Sequence, residues 1–284
     1  MKLPFVFAKR FVAGEEFSSS VPAAKQLNQA HHQLTLDLLG ENITSRSQAN
    51  HNVKAYIDVL KGIEQHKLLS GISIKLTMLG LDIDVEYCAD NLFTLMEHAR
   101  SQNQFVRIDM EGSKYTELTL DLFKRAHAEY GAQHVGTVIQ AMLHRSKEDI
   151  AELAGLGADV RLVKGAYKES RSRAYQQMSD IREAFNAYAE VLINNTSFPR
   201  FGTHDDQLIR AVRSYLAGHD IPSSRVEFQM LYGLRIQGLI DLNRLGYPTR
   251  VYVPFGTDWF PYFSRRLAER KENIWFVIST LFKR

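Results

Sequence analysis

The chain has 284 residues, 45% of them hydrophobic and 24% charged, an ordinary globular composition with enough length to bury a large core. A formal charge of +3 and an isoelectric point of about 8.8 are too mild to imply a nucleic-acid partner, and no block of like charges points to one. A single cysteine, Cys88, excludes an internal disulfide and fits a reducing, cytoplasmic setting.

The opening MKLPFVFAKRFVAGEEF has too short and too charged an apolar run for a signal peptide. Residues 1–33 read as a helical lead-in, and 34–284 as the catalytic unit. Short β-branched runs then recur at Leu34–Leu39, Ile72–Leu76, Phe105–Asp109, Gly136–Gln140, Asp159–Val163, Arg200–Thr203, Arg225–Gln229 and Arg250–Val253. Between them, segments 50–67, 86–101, 115–130, 146–155, 171–194, 205–217 and 232–244 carry apolar residues at three- and four-residue spacing, the pattern of helices covering a sheet. Gly131, Gly157 and Gly246 fall near helix ends, where a left-handed residue is often needed. Eight alternations without a composition break predict an α/β fold, one closed (βα)8 TIM-type barrel. An open doubly wound sheet is the rival. Cys88 reads as a small buried apolar residue, and His31, His32 and His66 as surface residues. No stretch approaches the ~18 consecutive apolar residues of a membrane span. The apolar, basic end WFVISTLFKR suggests a peripheral contact at the inner face of a cell membrane.

In this barrel class chemistry sits where strands end. Those ends carry Asp37, Glu41, Lys75, Asp109, Glu111, Gln140, Arg161, Lys164, Thr203, His204, Gln229 and Tyr252, a polar set expected to converge on one mouth. Segment 258–270, as a helix, puts Tyr262, Arg265, Arg266 and Glu269 on one face and leaves Phe260, Phe263 and Leu267 to bury. Adjacent guanidinium groups suit a carboxylate gripped in fork geometry. No phosphate-binding P-loop, dinucleotide fingerprint, nucleophile elbow or metal-spaced His/Cys/carboxylate cluster occurs, so no metal is expected. The residues alone leave open an aldolase-type barrel with Lys75 or Lys164 as a Schiff base, or a barrel that binds a carboxylated metabolite without turnover.

The blocks LTLDLLGE (34–41), SIKLTMLG (73–80), RIDMEGS (107–113), IQAML (139–143), RLVKGAYKE (161–169), GTHDDQ (202–207), VEFQMLYGLR (226–235) and RVYVPFGTDWFPYFSRRLAER (250–270) occur one at nearly every expected strand. In this order they resemble the proline dehydrogenase family, and most of all its short bacterial flavoproteins. The likeness covers only the catalytic barrel, with no room for the aldehyde dehydrogenase module of bifunctional members. It implies oxidation of L-proline to Δ1-pyrroline-5-carboxylate in proline catabolism, with FAD as hydride acceptor and a quinone taking the electrons later.

The resemblance also implies roles. Arg265, Arg266 and Lys75 bind the substrate carboxylate; Tyr252, Tyr262 and Leu231 shape the pocket around the ring. Asp109 orders the charged network beneath the substrate, and Glu41 pairs with Arg265 as a gate. Arg161 lies near the flavin's hydride-accepting nitrogen. Gln140, Val163, Lys164, Gly165, Ala166, Thr203, His204 and Glu269 line the cofactor. Asp205 stands where many relatives carry Asn, which alters local charge near the cofactor. Tyr262 would crowd a 4-hydroxyl group and so favours proline over hydroxyproline. The chemistry needs a neutral amine, and cationic neighbours depress an amine's pKa, so no dedicated general base is expected.

Overall fold

A computed structural model describes residues 4–41 and 43–269, with side chains in the last helix described through Arg266. The strands β1 (Gln33–Leu38), β2 (Ser70–Ile74), β3 (Val106–Ile108), β4 (Val135–Gln140), β5 (Asp159–Val163), β6 (Arg200–Gly202), β7 (Glu227–Leu231) and β8 (Thr249–Phe255) pair in chain order, all parallel. β1 also pairs with β8, Gln33 opposite Arg250 through Leu38 opposite Phe255, which closes the barrel and rules out the open sheet. α1 (Phe17–Gln29) precedes β1. After each strand in turn come α2 (Arg46–Gln65), α3 (Val85–Ser101), α4 (Thr116–Tyr130), α5 (Ser146–Gly155), α6 (Met178–Asn195), α7 (Asp206–Gly218), α8 (Ile236–Arg244) and α9 (Trp259–Glu269).

Local chemistry sets many of the boundaries. Ser45, Asp84 and Asp205 start α2, α3 and α7 by accepting backbone N–H groups of Gln48, Tyr87 and Gln207. Gly131, Gly157 and Gly246 have φ of 73°, 64° and 81°, the left-handed conformation that glycine adopts without penalty.

Two expected helices start late. The segment 171–194 becomes helical only at Met178, because Glu169 is drawn away to accept from Ser113 N and Oγ at 2.7 and 2.6 Å. Ala174 also forms a bridge with Leu143. The chain over 164–177 thus folds across the rim. The segment 232–244 begins its helix at Ile236, after a turn in which Gly233 and Arg235 take φ of 72° and 51°.

Strand residues alternate between two faces. One parity, including Leu34, Leu36, Ile72, Ile74 and Phe228, is buried with helix residues such as Val53, Leu60, Leu92 and Phe123 in the main core. The other parity is polar. Arg107, Asp159, Arg200, Glu227 and Arg250 form one buried network on β3, β5, β6, β7 and β8. Arg200 Nε lies 2.8 Å from Asp159, Arg200 Nη1 2.9 Å from Glu227, and Arg250 Nε 2.8 Å from Glu227. Arg107 reaches Asp159 across β4, and it passes where a Cβ at Gly136 would sit 2.3 Å from its Nη1. This charged floor replaces the apolar layers usual in such barrels.

A smaller cluster stands apart from the main core: Phe7, Ala8, Phe11 and Val12 from the lead-in pack with Leu39, Trp259, Tyr262 and Phe263. Two expectations are corrected. Phe260 is 56% exposed, and the preceding residue, Trp259, buries in its place against the lead-in ring Phe5. His32 is buried rather than on the surface, its Nδ1 2.7 Å from Thr249 Oγ1, because that hydroxyl at the start of β8 offers it a partner. Cys88 is buried, and burial pushes its thiol up to about 12. No described helix is long and apolar enough to cross a membrane. The C-terminal WFVISTLFKR lies outside the described residues.

Candidate active site

The strand ends open into a cavity of about 870 Å³. Its deep wall comes from side chains placed two residues beyond the floor network: Asp109, one residue past β3, above Arg107, and, within their strands, Arg161 above Asp159, Gln229 above Glu227, and Tyr252 above Arg250. That spacing keeps each pair on one face.

These groups are tied together. Arg161 Nη2 donates to Asp109 Oδ1, and Tyr252 Oη donates to Asp109 Oδ2 at 2.8 Å. Lys75, one residue past β2, donates to Asp37 Oδ1 at 2.9 Å. Burial opposes charge here, yet Asp37 and Asp109 together hold Lys75 well above its ordinary value. Asp109 is likewise buried, but Arg161 and Lys75 keep it below the usual carboxylate range. Burial, with Asp109 close by, pushes the Tyr252 phenol well up. Burial raises the Asp37 carboxyl even with Lys75 beside it, so the charge of this layer rests on Lys75, Asp109 and Arg161, next to a protonated phenol.

Over this layer stands α9. Tyr262, Arg265 and Arg266 line the cavity from one helical face. Trp259 and Phe263 anchor that helix in the small cluster with the lead-in. Arg265 Nη2 lies 2.6 Å from Glu41 Oε1, and its Nη1 lies 3.4 Å from Oε2. This places Glu41, in the loop after β1, across the entrance from the double arginine. Leu231 ends β7 on the same wall.

The remaining expected residues extend the cavity sideways. Gln140, Val163, Lys164, Gly165, Ala166, Thr203 and His204 all line it. Gln140 Nε2 is held by the Glu111 carbonyl at 2.9 Å, and His204 Nε2 accepts Leu231 N–H at 3.0 Å. Lys164 Nζ lies 3.4 Å from Asp205, which also pairs with Arg182 Nε at 2.9 Å. Glu269 belongs to α9, but its side chain lies outside the described residues.

Residues that the sequence reading did not assign also face this space: Tyr167 from the rim segment, Arg182 and Arg210 in the early turns of α6 and α7, and Arg235 just before α8. Arg182 pairs with Asp205 and Arg235 with Asp206 at the start of α7, and because the arginines come from separate helices nothing local in the sequence shows that they share one cavity. The cavity is thus two-ended: one end has Lys75, Tyr252, Tyr262 and the double arginine, and the other is rich in cations.

A closed parallel barrel whose strand ends enclose one large polar cavity carries its candidate site where barrel enzymes carry theirs. The family model for proline dehydrogenase matches residues 20–278, and the chain belongs to that family. Proline dehydrogenase 2 of Bacillus subtilis (strain 168) is 39% identical over 279 residues, covering 98% of this chain and 91% of that protein. The proline dehydrogenase of Deinococcus radiodurans is 34% identical over 279 residues, covering 97% and 90%. Among solved structures, proline utilization A (PutA) from Bdellovibrio bacteriovorus, inactivated by N-propargylglycine, superposes with a TM-score of 0.86 at 26% identity. That match covers 93% of this chain, which spans 32% of the PutA chain.

Proposed function

We propose that the chain oxidises L-proline to Δ1-pyrroline-5-carboxylate, with FAD as the bound acceptor and a quinone as the later electron acceptor. The observation that carries this reading is the meeting of Lys75, Tyr252, Tyr262, Arg265 and Arg266 at one end of a single cavity, in a chain of the proline dehydrogenase family.

The cavity fits a larger occupant than a five-membered imino acid. Its volume of about 870 Å³ lies toward the upper end of the range for cofactor-sized pockets, about 300–1,000 Å³. Lys164, Arg182, Arg210 and Arg235 suit the diphosphate of a dinucleotide. Gln140, Val163, Gly165, Ala166, Thr203 and His204 would flank the rest of it, and Arg161 would serve its redox end. Bound FAD supplies a hydride acceptor.

The chain's own residues do the rest. Arg265, Arg266 and Lys75 clasp the substrate carboxylate, while Tyr252, Tyr262 and Leu231 hold the ring and select proline over its 4-hydroxylated form. Glu41 occupies Arg265 until the carboxylate competes for it. Lys75, held cationic by Asp37 and Asp109 against its burial, is not a Schiff-base nucleophile. Tyr252 keeps its proton, and Asp109 is committed to Arg161 and Tyr252, so neither takes the amine proton. Crowding by three cations lowers the substrate amine's own pKa, and that proton leaves to water.

The test is spectroscopic. Purified protein should be yellow, with flavin bands that bleach anaerobically on adding L-proline. A colourless protein, or a yellow one that proline leaves oxidised, defeats the reading.

A further inference from the structure

We infer that Gln229 is a positioning residue that fixes Arg161 through a hydrogen-bond chain rising from the barrel floor. Gln229 is 4% exposed and lies between two charged groups. Its Nε2 donates to Glu227 Oε1 at 2.6 Å, and its Oε1 accepts from Arg161 Nη1 at 3.4 Å. The chain then runs on from Arg161 to Asp109 and from Asp109 to Tyr252.

Both neighbours dictate the same amide orientation. Glu227 is fully buried and held by Arg200 and Arg250 at 2.9 and 2.8 Å. It is therefore ionised and can only accept, so it must face the NH2 end. Arg161 can only donate, so it must face the carbonyl end. An amide meets both demands. A carboxylate fails toward Glu227, an ammonium fails toward Arg161, and a hydrocarbon fails toward both.

The backbone also makes room for this contact. Arg161 and Gln229 stand on β5 and β7, on either side of Gly202 in β6. A Cβ on Gly202 would lie 2.9 Å from Val163 Cγ1 and 3.5 Å from Arg161 Cδ. A side chain there would crowd the route by which Arg161 meets Gln229.

The inference rests on the proposed placement of Arg161 at the redox end of the flavin. A cation held there favours the electron-rich reduced cofactor. Releasing its Nη1 anchor leaves Asp109 to draw the guanidinium toward itself.

The test is the flavin midpoint potential of the FAD-loaded protein, measured against a reference dye without proline. Gln229→Met keeps the volume and removes both hydrogen bonds. It should lower the two-electron reduction equilibrium about tenfold, close to 30 mV, and slow flavin reduction at saturating proline while the proline KM stays put. Gln229→Glu is the rescue variant. A protonated carboxyl donates to Glu227 and accepts from Arg161 just as the amide does, so its potential should match the wild type at low pH and fall below it as pH rises.

A potential that stays within a few millivolts of the wild type in Gln229→Met, or a Gln229→Glu offset independent of pH, overturns the inference. If Gln229→Met does not fold, the pH dependence of Gln229→Glu decides alone. Wild-type flavin that proline cannot reduce would instead sink the proposed function, and the dye titration would still report on Gln229.

Discussion

Replacing Arg265 with Met tests the proposed carboxylate clamp. The methionine keeps most of the aliphatic stem on α9 but removes the guanidinium that Glu41 holds at 2.6 Å. Losing one partner of a hydrogen-bonded charge pair at a binding site costs about 2–5 kcal/mol. The Arg265 side chain retains 32% exposure and its partner Glu41 18%, so water screens part of the interaction and the low end, about 2 kcal/mol, applies. At about 1.4 kcal/mol per decade, this is a rise of about 30-fold in proline KM. The charged layer of Lys75, Asp37, Asp109, Arg161 and Tyr252 is untouched, so kcat should fall by less than about threefold. Steady-state proline oxidation with a soluble quinone analogue, normalised to flavin content, reads both constants. A KM within about threefold of the wild type would refute the clamp, and a collapse of kcat at unchanged KM would move Arg265 from binding to chemistry.

Arg161→Ala should lower the flavin content of purified protein and slow its reduction by proline; unchanged flavin content and reduction rate would remove Arg161 from the site. Acid should expose the floor network. Burial would raise the Glu227 carboxyl, but Arg250 and Arg200 overpower it and bring it from 4.5 down to about 2. A depressed folded value stabilises above the unfolded pKa, so this contribution is complete above about pH 4.5 and disappears as pH falls through about 2, amounting to about 3 kcal/mol. Urea melts across that window should show a shallower pH dependence in Glu227→Gln than in the wild type, and equal slopes would contradict the assignment. Gly157 and Gly233 both have positive φ, but a Cβ meets nothing within 4 Å at the first and lies 1.6 Å from the Arg10 carbonyl oxygen at the second. Gly157→Ala should therefore lose only the backbone penalty of about 1–2 kcal/mol, while Gly233→Ala loses more. Indistinguishable thermal melts would refute the contact with the lead-in.

The architecture was legible because the barrel repeats its signal. Each strand gives a short β-branched run and each helix a stripe, and Gly131, Gly157 and Gly246 punctuate the ends. Lys75, Asp109, Arg161 and Tyr252 could be found because they sit at strand ends, where parity and position agree. What stayed hidden depended on partners distant in sequence. Nothing near Gln229 shows that it will stand between Glu227 and Arg161, and the local pattern around Phe260 does not reveal that Trp259 meets Phe5 instead. Residues 171–177 looked helical because they tolerate a helix, but they follow a rim turn in which Glu169 accepts from Ser113 N and Oγ. His32 shows the same limit: its neighbours in sequence are exposed, and only the folded barrel brings Thr249 to its ring.

The separate cluster that joins Phe7, Phe11 and Val12 to Trp259, Tyr262 and Phe263 divides the molecule's cooperativity. Two stretches at opposite ends of the chain share one small interior, distinct from the one that the strands and outer helices share. Amide protons near Phe11 and on α9 should therefore lose protection together, at a lower opening free energy than those of β1 or β4. Helix α9, with its proposed grip on the substrate carboxylate, would then loosen while the staves of the barrel stay hooped.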